Sequence, residues 1–191
     1  GSTIYVVANF SDATTNVDAV WLLVNGGLNQ TNGSFNLNNL IVNFTYVVAT
    51  SFENTTLNFT IRANDSAGNT NNGGSILVKV SDNTVPTIAL NSPINIFNTS
   101  TQAVTFNFTV TDNAAPNLTC NITVAGIVNI SGILAINSTS QANTSTAFTS
   151  DGTRSWNVTC VDNDQNVNTS ATRSFTVDTT APVTNLNASS T

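Results

Sequence analysis

Very few side chains in this sequence can do chemistry. Of 191 residues, ten are acidic, four are basic and none is histidine. Nine of the acids are aspartates, and six of these pair along the chain. Asp12 pairs with Asp112, Asp65 with Asp162, and Asp82 with Asp178, at separations of 100, 97 and 96. Carboxylates and Asn carbonyls in loops are the ligands Ca²⁺ takes, and their flexibility suits it better than Mg²⁺. Asp and Asn also populate turns simply because their side chains accept hydrogen bonds from nearby backbone. Both readings stand for these residues. Asp162 and Asp164 make a poor hydrolytic pair, being two apart on one loop with no cleft signal. Lys79 could suggest an isopeptide bond, but it alternates with Val78 and Val80 and should face solvent.

The composition removes further functions. Without His there is no His base, no Ser-His-Asp triad and no His-ligated metal, and two Cys cannot build a Cys₄ zinc site. We therefore expect no enzyme. A net charge of −6 with four scattered cations gives no phosphate-binding surface, so nucleic acid is not the expected partner. No apolar run approaches the length of a membrane-spanning helix. No initiator Met or signal peptide opens the sequence, which reads as a mature or excised segment. Charged residues are only 7% of the chain, and 32 Asn together with many Ser and Thr take their place. That mixture opposes long helices. A mean hydropathy of +0.07 still leaves material for a core.

The sequence repeats once. VPTIALNSP (85–93) corresponds to APVTNLNAS (181–189), with Pro86 and Pro182 96 apart. Residues 10–26 match 110–126, and 57–69 match 154–166. Within each repeat, apolar and polar residues alternate. Phe106, Phe108 and Val110 alternate with Asn107 and Thr109, and Leu118, Cys120, Ile122 and Val124 alternate with Thr119, Asn121 and Thr123. Period two with one polar face predicts antiparallel sheets, and turn signals such as Asn25-Gly26 and Asp151-Gly152 predict short strands. The expected fold is all-β: two tandem Ig-like sandwiches of about seven strands each, over 1–83 and 84–180, with residues 181–191 as a further strand.

DNDQNVNTSATRSFTVDTTAP (162–182), with LTCNITV and WNVTC, resembles the secreted Ig-like repeats of archaeal, and some bacterial, cell-surface and S-layer-associated proteins. The resemblance covers both modules, although the first has no cysteines. It implies a compartment and a fold, and no ligand. In an Ig-like order, Cys120 and Cys160 lie on inward faces of neighbouring strands. A disulfide is the expected state, with two buried thiols as the alternative, and Val20 and Ala63 take the matching positions in module one. A lone disulfide implies an oxidising, extracellular setting. The same order places several loops at one pole. Asp82, Asp112, Asp162 and Asp164 would then converge as one Ca²⁺ site, and Asp12 and Asp65 with Asp178 of another copy as a second.

Seventeen Asn-X-Ser/Thr triplets occur, against about 8 or 9 by chance from this composition. Their asparagines are Asn9, Asn29, Asn32, Asn43, Asn54, Asn58, Asn64, Asn98, Asn107, Asn117, Asn121, Asn129, Asn137, Asn143, Asn157, Asn168 and Asn187. Eight have a large apolar middle residue, which on a strand turns Asn and Thr outward. We expect N-linked glycans here, the alternative being an Asn/Thr-rich face that makes triplets by accident. Trp21 and Leu23 should point away from the core and offer a contact face, or else repack locally under the loop at 36–39.

The repeat is circularly offset. Module two opens with the proline-led strand at 86–93, module one has no counterpart, and the tail at 182–191 carries a spare. The expectation is a head-to-tail filament or stalk subunit assembled with copies of itself. Pro182, Val183 and Leu186 would dock beside Ile4 and Val6 of the next copy. Archaeal surface threads and bacterial chaperone-assembled pili use such a plan, and the resemblance invites the comparison. The alternative is an adhesin or carbohydrate-binding segment of a longer multi-repeat protein.

Overall fold

The structure is a computed structural model that describes residues 2–37 and 39–186, without the side chains of 34, 36 and 37. The chain divides into two units between Asp82 and Asn83.

The first unit runs β1 (Thr3–Ser11), β2 (Val17–Val24), β3 (Gly27–Leu37), β4 (Asn39–Val47), a 3-10 turn at Thr50–Phe52, β5 (Thr56–Asp65) and β6 (Thr70–Lys79). β1 and β4 form a two-stranded antiparallel sheet, and the other sheet has the order β3-β2-β5-β6. Alternation builds the core between them. Val20, Leu22 and Leu57 are fully buried, with Phe59, Phe44 and Val42 nearly so. The β2–β3 turn uses Asn25 and Gly26 at φ 50° and 80°, the pair of positive φ values a two-residue hairpin needs.

The second unit runs β7 (Thr87–Ser92), β8 (Phe97–Thr99), β9 (Thr105–Thr111), β10 (Asn117–Val124), β11 (Ile127–Ile136), β12 (Ser140–Thr144), β13 (Gly152–Val161), β14 (Val167–Thr169) and β15 (Arg173–Val177). One sheet is β12-β9-β7, and the other is β11-β10-β13-β15-β8 with β14 also on β13. Phe106 centres the core, its ring 4.9 Å from Trp156 and 5.7 Å from Phe175. Cys120 and Cys160, directly opposed on β10 and β13, form a disulfide with Cα atoms 4.1 Å apart.

Both units are antiparallel sandwiches, but the expectation of about seven strands in each misses in opposite directions. The described residues make six strands in the first and nine in the second. Much of the excess is the pair β7–β8. β7 pairs antiparallel with β9, and β8 then crosses to pair in parallel with β15 in the other sheet. The first unit has no counterpart to either. β9 is covered on both edges, by β12 and β7, whereas β1, its equivalent, pairs only with β4 among the described residues. Burial follows: Phe106 is fully buried, but Val6, 100 residues earlier, is only half-buried.

Candidate functional site: an open strand edge and its carboxylate turns

Each module carries an aspartate that organises the turn after its long central strand. In module two, Asp162 accepts hydrogen bonds from Asp164 N–H (2.8 Å), Asn166 N–H (2.9 Å) and Asn166 Nδ2 (2.8 Å). In module one, Asp65 accepts the same set from Ala67 N–H, Asn69 N–H and Asn69 Nδ2, at 2.9, 2.8 and 2.7 Å. Thr15 Oγ1 donates a further bond to Asp65 at 2.9 Å. Asn69's side chain, then its N–H with Thr15 and Ala67, holds the Asp65 carboxyl below the ordinary carboxylate range despite burial. Asp12 caps its own turn, accepting from Thr14 and Thr15 N–H at 2.7 and 2.9 Å. These bonds, Thr15 foremost, lower its pKa too. Asp112 caps its own turn with the same pair of bonds, accepting from Ala114 and Ala115 N–H at 2.9 and 2.8 Å.

The turn-capping reading therefore describes five of the seven aspartates considered as metal ligands: Asp12, Asp65, Asp112, Asp162 and Asp178. Asp112 and Asp162 also present carboxylate oxygens within 4.8 Å of each other, and Asp112 Oδ2 is buried with no hydrogen-bond partner among the described residues. Asp82 is 3% exposed. Asp164 departs from the expected site, because its side chain is exposed and it is its N–H that meets Asp162. Asp178 lies exposed at the end of β15, its N–H donating to Thr99 O and its carboxylate accepting from Thr180 N–H.

A groove of about 350 Å³ runs beside the bare edge of β1. Its walls are Asn9, Phe10 and Ser11 on one side and Ile61, Ala63 and Asn71 on the other, with Asp12 and Asp65 at one end. In module two, β7 fills the equivalent space, with Ile88 and Leu90 packed on the core. Asn168 Nδ2 secures the start of that strand by donating to the Pro86 carbonyl at 2.7 Å.

The strand-like tail is rooted in module two and then leaves it. Asp151 accepts bonds from Thr179 N–H (3.0 Å), Thr179 Oγ1 (2.8 Å) and Thr180 Oγ1 (2.8 Å), which lower its pKa. Residues 181–186 belong to no strand and are all exposed, with Val183 at 86% and Leu186 at 97%. Asn187 lies outside the described residues. The match of Pro182 to Pro86 makes Leu186 the equivalent of Leu90 and Thr184 that of Ile88. Val183 corresponds to exposed Thr87.

The triplet asparagines are mostly exposed or half-buried along the strands. Two have their amide nitrogen engaged in the fold. Asn168 Nδ2 holds Pro86, and Asn137 Nδ2 donates to Asp112 O and Ala115 O at 2.6 and 2.9 Å. Trp21 and Leu23 face away from Val20 and Leu22, as expected. With Leu28, Arg62 and Thr70 they line a cavity of about 310 Å³. The Arg62 guanidinium lies 5.9 Å from the Trp21 ring. All four cations, Arg62, Lys79, Arg154 and Arg173, sit within strands, and Lys79 is exposed.

Sequence reasoning missed β8, the Asn168 clamp and the Asp151 anchor. The clamp had a signal, since 97 residues before Asn168 stands Asn71.

No protein-family model and no curated protein matches this chain. Among solved structures it is similar to the fibronectin(III)-like modules of CbhA from Clostridium thermocellum. That likeness has 17% identity and a TM-score of 0.37, over 93% of this chain and 85% of that one. It is also similar to SGBP-B of the Bacteroides ovatus mixed-linkage glucan utilization locus, solved in complex with a mixed-linkage heptasaccharide. There the identity is 18% and the TM-score 0.28, over 90% of this chain and 41% of that one.

Proposed function

We propose that this protein is a structural subunit of an extracellular, N-glycosylated filament or cell-surface stalk, joined head to tail by strand addition. One observation carries the reading. β9 is completed by β7, while among the described residues its equivalent β1 has a bare edge, and residues 182–186 of the segment that matches β7 are exposed and belong to no strand. A bare strand edge is a template for pairing with another chain. Burying Leu186 contributes roughly 1.5–3 kcal/mol before ordering costs. Each strand hydrogen bond adds about 0.5–1.5 kcal/mol. Donor and acceptor are different surfaces, so the contact is heterologous and propagates.

The adhesin or carbohydrate-binding alternative has the Trp21 cavity as its one specific support. A sugar ring stacks on an open aromatic face, and here Arg62 already sits over Trp21.

The test is assembly of the purified full chain, followed by sedimentation and electron microscopy. Fibres with a two-module repeat are expected, and Leu186→Asp should give monomers. Fibres unaffected by Leu186→Asp would overturn the reading. So would monomers of the unaltered chain whose β1 amides are fully protected from exchange, as a preceding segment of a longer protein would make them.

A further inference from the structure

Resting on the strand-addition reading, the two modules allow the joint to be specified residue by residue. The modules align at this pole through their backbone pairing. Asn168 lies across from Cys160, and Asn71 lies across from Ala63, the residue equivalent to Cys160. The turns before them, Asp162–Asn166 and Asp65–Asn69, make the same three hydrogen bonds. Asn71 therefore occupies the place of the asparagine that holds Pro86, and it is exposed on the wall of the groove beside β1. The residue matching Pro86 is Pro182 of the tail.

We propose that Asn71 is a specificity-determining clamp whose Nδ2 donates to the Pro182 carbonyl of an incoming tail from a second copy. The register follows from β7 on β9. There Thr87 pairs with Thr111, Ile88 with Val110, Ala89 with Thr109 and Leu90 with Phe108. Carried over, Val183 lies across from Ser11, Thr184 from Phe10, Asn185 from Asn9 and Leu186 from Ala8. In the last pair the leucine meets a small alanine where module two has Phe108. Proline suits the clamped position because it lacks an N–H and offers only its carbonyl. The partner is thus an extended segment led by proline with an apolar residue four positions on, and this chain carries one.

The experiment uses the full chain with Leu186→Asp, whose own tail cannot add, as acceptor. A labelled synthetic peptide of residues 178–190 with the natural sequence is the probe, read by fluorescence anisotropy. Asn71→Ala is expected to weaken binding about fivefold, the worth of one hydrogen bond. Asn72→Ala, on the next residue, should leave it unchanged. Register is read separately by oxidation of Asn9→Cys in the acceptor with Asn185→Cys in the peptide, which should cross-link faster than Asn9→Cys with Val183→Cys. If the peptide binds no acceptor, the strand-addition reading itself falls. If it binds Asn71→Ala as tightly as Asn71, or cross-links in the other register, the clamp falls and strand addition stands.

Discussion

Cys120 stands directly across from Cys160, and Val20 directly across from Ala63, so one cross-strand position is closed by a bond in module two and by packing in module one. Val20 is nonetheless fully buried. The bond encloses a separation of 40 residues. In the chain-entropy description that is worth about 4 kcal/mol, acting on the unfolded chain. Reduction should therefore lower the denaturant midpoint of module two and leave that of module one unchanged. Coincident shifts in both, followed by Trp156 and Trp21 fluorescence in single-tryptophan variants, would contradict this account.

Glycan occupancy should be uneven in a way the fold dictates. N-linked sugar is attached to Nδ2, and at Asn137 and Asn168 that atom is committed to backbone carbonyls. Glycopeptide mass spectrometry of native material should find both bare. Exposed strand positions such as Asn43 and Asn117, and half-buried ones such as Asn58, Asn107, Asn121 and Asn157, should be occupied. Bare polypeptide at every site would remove the glycoprotein reading.

Acid should loosen the turns in a defined window. Asp12, Asp65 and Asp151 all have folded pKa values below their unfolded ones, because each carboxylate accepts hydrogen bonds. Such groups bind fewer protons when folded, so their contribution is complete above the unfolded value of about 3.9 and lost as pH falls through the lower folded value. Melting temperature should hold from neutrality down to about pH 5 and then decline. Asp65→Asn should flatten the decline, with a lower starting stability.

Calcium is the ion to test at module two, since Asp112 Oδ2 is buried without a hydrogen-bond partner among the described residues and an Asp162 carboxylate oxygen lies within 4.8 Å of an Asp112 one. Added calcium is expected to raise the melting temperature, and Asp112→Asn to abolish that rise. Identical melting with calcium and with chelator would leave these aspartates as turn caps alone.

The sandwich and the disulfide were legible because both rest on period-two alternation, which survives in FNFTV and LTCNITV. The expectation of an absent first strand rests on prolines 96 apart that mark one strand twice. β8 was not legible, since three residues cannot show a period and its pairing is parallel and remote. Asn168 was hidden by abundance: among 32 asparagines, one reaching across 82 residues to a carbonyl resembles every other turn asparagine.

The placement of the cations bears on how the folded chain withstands proteolysis. Trypsin cuts after Lys or Arg in an extended, detached segment, and it has only four bonds to choose from here. Three lie inside paired strands, and the fourth follows Lys79, the last residue of β6, where the Val80 N–H still donates to Thr55 O; none falls in residues 181–186. Cleavage must therefore wait for a strand to leave its sheet, an event close to opening of the whole module. The folded chain offers this class of protease no loop to nick, and the rate of digestion would read module stability directly.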